Sequence, residues 1–252
     1  MLTRYEAYMD GVALSSIDPS IAVLDIVPVP GDISCAFATR ANREGAVLTN
    51  KNKSSEGVQI SFEIHEYSPM KRMDICQRVS KWANGEILQT SDRQGQRLRV
   101  MCSQYPVVNA KDWTAPVTVA FTAYVLPYWE EDAPAVISLT GTSGNAQIYA
   151  PGNAGEVLVE ATVKANAAVT TFTLTVGSTH ITLSGLSLAA NDVVTISYDQ
   201  NLIQSIKKGN TSLLDKRTGS DDLLTTSGEY VTVEISADAS ITATFSARGC
   251  WH

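Results

Sequence analysis

The sequence lacks the long apolar segments of a membrane protein. No apolar run among its 252 residues approaches the roughly 20 residues that a membrane-spanning helix needs. The opening Met1 to Glu6 also lacks the apolar core of a signal peptide. We therefore expect folding in a cytoplasm, and the net charge of −7 at pH 7 predicts a soluble protein.

Clustered metal ligands and paired cysteines are also missing. The four cysteines are scattered and have no paired spacing, and the three histidines lie far apart. We expect reduced core cysteines, no metal site and no cofactor. The residues concerned are Cys35, Cys76, Cys102, Cys250, His65, His180 and His252.

Motifs for catalysis and for nucleic-acid binding are equally scarce. There is no Gly-x-Ser-x-Gly and no phosphate-binding glycine loop. The neighbouring carboxylates at 130–132 and 221–222 fall in predicted loops, where solvated charge explains them. The balance of 19 basic to 26 acidic residues argues against a general nucleic-acid binder. The sequence therefore predicts a protein that is not an enzyme.

One segment has the pattern of an amphipathic helix. Ser68 and Pro69 form a helix start, and Asn84-Gly85 a helix stop, which predicts a helix over 69–83. The apolar positions recur at three- and four-residue spacing, and the charged positions take the other face. We expect a scaffold helix on a sheet; a helix that itself binds nucleic acid or membrane is the alternative. The predicted apolar set is Met73, Ile75, Cys76, Val79, Trp82 and Ala83, and the predicted polar set is Lys71, Arg72, Asp74, Gln77, Arg78 and Lys81.

The remainder of the first half has the pattern of strands. Asp10-Gly11 predicts a tight hairpin, 58–65 alternates apolar and polar residues, and 117–126 does so again. The strongly polar segment 40–57 predicts a long exposed loop, either free in solvent or docking a partner. Within that loop Val47 and Leu48 form a small apolar anchor beside Lys51 and Lys53.

Positive charge is concentrated near the predicted helix. From residue 71 to residue 99 there are seven Lys or Arg against three acidic residues. No aromatic platform alternates with these charges, so a subunit contact with an acidic surface fits better than a nucleic-acid site. The candidate subunit-contact residues are Val47, Leu48, Lys51, Lys53, Arg72, Arg78, Arg93, Arg97 and Arg99.

The composition changes after the acidic, proline-bearing segment 130–134. Only six of the 19 basic residues follow residue 132, and short alternating runs separated by Gly, Asn and Asp predict an antiparallel sandwich. We place the domain boundary between residues 132 and 133. The Gly141 to Gly144 segment is interpreted as a turn-rich start to the second domain.

The order of these motifs resembles the distal tail proteins of long-tailed bacteriophages, the Dit-like tail hubs. The resemblance is carried by the opening around Asp10-Gly11, the strand Ile21 to Ile26, the helix ending in a Trp, the Asp92-Arg93-x-Gly95 turn with its strand, and the strand led by Trp113 that closes on Pro127-Tyr128-Trp129. The closing Arg248-Gly-Cys-Trp251 is similar to the end of that family as well.

The resemblance implies a mainly β fold. The first domain, 1–132, would be a split, tail-tube-like β-barrel with one flanking helix that forms a ring. The second, 133–252, would be a peripheral galectin-like β-sandwich. The implied function is that of a hexameric ring in the virion's tail tip, which joins the tail tube to the tip or baseplate and offers a platform for host-recognition proteins.

The implied partners are other copies of the chain, the tail tube protein and a tail-associated hub protein, with tape measure and receptor-binding proteins as further candidates. No nucleic-acid or membrane site is implied, although DNA would pass through the ring. The alternatives are a tail tube protein with an added sandwich, a hub of a contractile device, or a carbohydrate-binding adhesin. Sugar binding is disfavoured because most aromatic residues of the second domain alternate with polar ones and so are expected to point inward.

Overall fold

The computed structural model describes residues 5–30, 33–39, 46–53, 56–108, 115–124, 126, 128–199 and 202–251, and for 33–39 and 46–53 it describes the backbone only. The chain divides into two compact units, Met1–Trp129 and Glu130–His252. The division falls inside a short strand, Trp129–Glu131. The roles assigned above to the two domains stay predictions.

The first unit is a curled half-barrel sheet with one α-helix in the part of the chain that the structure describes. The strands follow the order β2-β1-β7-β8-β9-β6-β3, so β3 lies at one edge of the sheet. Their bounds are β1 Ala7–Met9, β2 Val12–Ala13, β3 Ile21–Val29, β6 Gly57–Ile64, β7 Ile87–Thr90, β8 Gln96–Gln104 and β9 Val117–Ala123; β4 Ile33–Thr39 and β5 Ala46–Lys53 form a separate pair, and a 3₁₀ turn covers Leu14–Ser16.

Local sequence explains the opening hairpin. Asp10 and Gly11 have φ of 50° and 80°, the positive values that a type I′ turn requires, and Met9 pairs with Val12 across the turn. The Asp10 carboxylate also accepts the Ile87 N–H at 3.0 Å. The predicted hairpin is confirmed, and its turn residue additionally holds β7 in place.

The helix α1, Pro69–Trp82, begins where the sequence predicted. Its buried stripe nevertheless differs from the prediction, because Arg72 is buried while Met73 is 56% exposed. Arg72 stands three residues before Ile75, four before Cys76 and seven before Val79, so the helical period places it in the middle of the buried face. The assignment of Arg72 to the polar face and of Met73 to the apolar face was wrong.

Part of the predicted loop is a strand. The β5 backbone pairs with β4 in an antiparallel ribbon, from Thr39 opposite Ala46 to Ile33 opposite Lys53. A ribbon of this kind is held by main-chain hydrogen bonds, which polar side chains do not reveal in the sequence. The loop assignment was therefore wrong for 46–53, and residues 40–45 and 54–55 lie outside the described residues, as does Trp113.

The second unit is built on one long strand that supports two layers. Strand β20 pairs along one side with β11, and along its other side first with β13 and then with β12. The full bounds are β10 Trp129–Glu131, β11 Ala135–Tyr149, β12 Glu156–Ala165, β13 Phe172–Val176, β14 Thr179–Leu183, β15 Val193–Tyr198, β16 Gln204–Lys208, β17 Thr211–Ser212, β18 Arg217–Gly219, β19 Leu224–Thr226, β20 Tyr230–Ala247 and β21 Cys250–Trp251, with a 3₁₀ turn at Leu214–Lys216.

The two layers enclose one hydrophobic core. Leu174 and Ile181 from the β13–β14 side and Ile196 and Ile206 from the β15–β16 side belong to the same buried cluster. Its formation is explained by strict alternation, which gives each strand one buried face. The segment Gly141 to Gly144 is not a loop: it lies within β11, at a bulge between Gly141 and Ser143.

Candidate assembly surface

The nine predicted contact residues lie on four parts of the first unit. Four of them, Val47, Leu48, Lys51 and Lys53, lie in β5, where the structure describes the backbone but not the side chains. The remaining five are arginines on α1, on the turn after β7, and on β8. Their contribution to subunit contacts stays a prediction, and their surroundings differ greatly.

Arg78 is engaged within its own subunit. Its guanidinium donates to the Asp18 carboxylate and to the Ile17 carbonyl, both at 2.7 Å, and to Asp74 at 3.2 Å. These bonds tie α1 to the turn that leads into β3. Asp18 also accepts two hydrogen bonds from Ser20, and these bonds, together with Arg78, lower the pKa of Asp18 to about 2. Arg78 therefore stabilises the fold in the isolated subunit.

The three arginines beyond the helix lie in different surroundings. The guanidinium of Arg93 lies 4.9 Å from the centroid of the Trp129 ring, a cation–π distance. Arg97 and Arg99 alternate along β8 with the buried residues Leu98 and Val100, so they are on the opposite face of that strand.

Arg72 is the one buried residue among the five arginines. Its exposed fraction is 2%, and among the residues that the structure describes its Nε and Nη2 have no hydrogen-bond partner. A charge removed from water without a partner is unfavourable by several kcal/mol in typical proteins.

A groove runs beside α1 at Arg72. Its volume is about 340 Å³, and it lies between the helix and the segment that follows β8. Met73 and Val107 on its walls are 56% and 78% exposed, and Met70 nearby is 82% exposed. We call it the Arg72 groove; its lining residues are Pro69, Arg72, Met73, Cys76, Gln77, Ser80, Pro106, Val107 and Val108.

A buried cysteine lines the Arg72 groove. Burial raises the pKa of Cys76 to about 11, so this thiol stays protonated at neutral pH.

Burial raises the pKa of Cys250 as well, to about 12. Within the described ranges no group of three or more His, Cys, Asp or Glu could hold a metal ion. No described helix is long and apolar enough to cross a membrane.

The aromatic residues of the second unit only partly follow the prediction. Phe172 and Phe245 are fully buried, but Tyr149 and Tyr230 face solvent. Their rings lie 4.8 Å apart at 33°, opposite each other on β11 and β20. The expectation that most aromatic residues of this unit point inward therefore does not hold for these two.

The sequence missed the Arg72 groove altogether. A signal was present, because the spacing of Arg72 to Ile75, Cys76 and Val79 places it on the buried stripe. An assignment of helix faces by residue type alone places this positive charge in solvent. The walls from Pro106 to Val108 carried no signal, since they follow the end of a strand.

Comparison with known proteins places this fold. No protein-family model matches the chain, and no curated protein matches it either. Among solved structures, the Dit protein (gp 19.1) of phage SPP1, described as a hub adsorption apparatus of phages that infect Gram-positive bacteria, matches with a TM-score of 0.67 at 12% identity, over 97% of this chain and 98% of that one.

Two structures of the phage p2 baseplate in its activated conformation also match. The strontium form gives a TM-score of 0.54 at 9% identity over 97% of both chains, and the calcium form gives 0.51 at 10% identity over 99% of this chain and 98% of that one. The resemblance predicted from the sequence is confirmed at the level of the fold: this chain has, along nearly its whole length, the fold of phage Dit and baseplate proteins.

Proposed function

We propose that the protein is a structural component of a phage tail tip, where it forms the distal tail ring that joins the tail tube to the tip or baseplate. The observation that carries the proposal is the fold likeness to the SPP1 Dit protein, which extends over 97% of this chain and 98% of that chain. Because the fold likeness extends over both units of this chain, it favours a role in which both units take part.

In this proposal the first unit makes a closed ring, most simply of six copies, and DNA passes through its opening without a binding site. The tail tube protein contacts one side of the ring and a tail-associated hub protein the other, with tape measure and receptor-binding proteins as further partners. The second unit serves as the attachment platform. The protein acts in the virion and not as an enzyme.

Size measurement and microscopy of the purified chain test the proposal. Light scattering coupled to size exclusion gives the number of copies, and negative-stain images give their arrangement. Closed rings support the distal tail role. Long cylinders would instead identify a tail tube protein, and monomers that bind host cells or glycans would identify an adhesin. If charge contributes to the ring, salt that shortens the Debye length to about 3 Å loosens it.

A further inference from the structure

We propose that the Arg72 groove receives strand β3 of a second copy of this chain, with Asp25 of that copy facing Arg72. The proposal rests on the ring of the proposed function and names the contact that builds it. It assigns one partner to a groove that the described residues of the subunit leave open.

The first argument is the state of Arg72. Two of its three guanidinium nitrogens lack a partner within the described part of the chain, although the residue is 2% exposed. A carboxylate is the group that satisfies such a nitrogen pair best, because it accepts two parallel hydrogen bonds from Nε and Nη2. An occupant that carries an Asp, a Glu or a terminal carboxylate would satisfy both nitrogens at once.

The second argument is the lining of the groove. Met73 and Val107 expose apolar atoms on its walls, and methionine adapts its shape to an incoming side chain. Apolar walls around one buried cation match a carboxylate flanked by aliphatic side chains. They do not match a phosphate or a sugar, which would require several polar donors on the walls.

The first unit carries a segment of this composition. Strand β3 has Asp25 exposed, and beside it Leu24, Val27 and Val29 are exposed aliphatic residues. In the described part of the chain β3 pairs with β6 alone, so its outer edge is open. A register shift between Val23 and Asp25, followed by Pro28, interrupts that edge and disfavours simple strand addition. We therefore expect a partner to cover the edge of β3 through side-chain contacts and not by adding a strand.

The occupant belongs to another copy because groove and strand lie on opposite flanks of α1. At 100° per residue, Met73 and Gln77 on the groove wall lie on one side of the buried face, and Asp74 and Arg78 lie on the other. Arg78 bonds Asp18 in the turn that begins β3. A contact between two different surfaces is heterologous, and its repetition produces a ring when the rotation closes.

Two exposed positions allow a test without disturbing the core. Val107→Glu places a charge on the groove wall, and Val27→Glu places one on β3; both residues are solvent-exposed in the subunit, so both variants should fold. Each variant alone has one damaged surface and should stay monomeric under conditions in which the unmodified chain assembles. Mixed in equal amounts they restore one intact contact, and a dimer that does not grow further is expected.

The charge pair is tested separately with Arg72→Met and Asp25→Asn. Each should weaken self-association about tenfold or more, a typical effect of truncating one member of a desolvated charge pair. The double variant should be no weaker than Arg72→Met alone, because the second change removes a partner already lost. Asp92→Asn, an exposed carboxylate on the turn between β7 and β8, is the matched control and should leave association unchanged.

The outcomes separate this proposal from the proposed function. Rings that form equally well with Val107→Glu or Arg72→Met would overturn the docking contact and leave the ring itself intact. Cylinders whose growth these variants block would support the contact and contradict the distal tail role. A mixture of the two Glu variants that stays monomeric, additive effects of the charge-pair variants, or an unmodified chain that never associates would each overturn the proposal.

Discussion

Asp18 should be a main electrostatic support of the first unit, and Asp18→Asn tests this. Its carboxylate accepts from the Ser20 N–H at 3.0 Å, from the Ser20 hydroxyl at 2.7 Å and from Arg78 at 2.7 Å. An amide keeps the shape of the side chain but removes the negative charge. The Arg78 guanidinium then loses its closest ionic partner, and the link between α1 and the turn before β3 weakens.

The magnitude follows from the pKa of Asp18. The folded-state pKa of about 2 lies below the ordinary value of 3.8, a difference of about 1.8 units that corresponds to an upper limit of about 2.4 kcal/mol. The Asp18 side chain is 20% exposed, so solvent screening reduces this figure. We expect Asp18→Asn to lower the free energy of unfolding by about 1 kcal/mol, or about 3 °C in melting temperature.

The sign of the pH dependence is fixed by the direction of the shift. Because folding lowers the pKa of Asp18, its contribution is complete above the unfolded-state pKa near 4 and is lost as pH falls through about 2. Chemical denaturation at pH 7 and pH 3 should therefore show a difference between the unmodified chain and Asp18→Asn that is about half as large at pH 3.

Asp74→Asn is the matched control. Asp74 contacts the same Arg78, but at 3.2 Å and with a side chain that is largely exposed. Surface pairs of this kind typically contribute about 0.3–0.5 kcal/mol. If Asp18→Asn costs no more than Asp74→Asn, or if the difference caused by Asp18→Asn stays constant between pH 7 and pH 3, the reasoning about this carboxylate is refuted.

Three further predictions concern hydrogen bonds and one close backbone contact. Trp82→Phe removes the 2.7 Å hydrogen bond from the Trp82 Nε1 to the Val12 carbonyl and should cost about 1–3 kcal/mol in denaturant unfolding; a change below about 0.5 kcal/mol would count against it. Gly152→Ala should unfold or strongly destabilise the second unit, because the added Cβ would lie 2.0 Å from the Cys250 carbonyl oxygen. Gly155→Ala is the control, since an added Cβ there meets open space, and in thermal melts it should show only the smaller destabilisation caused by the positive φ of residue 155. A fragment of residues 130–252 should fold alone and show strand and little helix in circular dichroism. It should have a higher melting temperature than a fragment of residues 133–252, because the Glu131 N–H donates to the Gly249 carbonyl and Arg248 donates to the carbonyls of Glu131 and Asp132. Equal melting temperatures of the two fragments would contradict this prediction.

The sequence predicted the elements whose side chains report their own surroundings. Strand β6 alternates apolar and polar residues because one of its faces is buried, and α1 begins at Pro69 because proline fits a first turn that needs no N–H donor. Even there the start signal was incomplete: the Ser68 side chain makes no cap hydrogen bond, and the Ser68 N–H instead donates to the Glu66 carboxylate.

The elements that the sequence missed depend on the backbone or on distant partners. The β4–β5 ribbon is defined by main-chain pairing, and the bulge at Gly141 lies within a continuous strand because β20 pairs on both sides of it. Recognising the groove required knowledge that residues 106–108, which follow the end of α1 by 24 to 26 positions, lie beside the helix. A single sequence contains no direct signal for such a long-range contact.

Arg72 and Arg78 show why a count of charges could not locate a binding surface. They stand on the same helix, yet Arg78 has three acceptors inside the subunit, whereas two nitrogens of Arg72 have no acceptor among the described residues. The first arginine adds stability that is already present in the isolated chain. Arg72 lowers the stability of the isolated chain, and this loss is reversed only when a carboxylate binds the guanidinium. Part of the stabilising free energy therefore appears only on assembly. Arg72→Met should therefore raise the melting temperature of the isolated subunit while weakening its self-association, an opposition that a purely structural arginine would not produce.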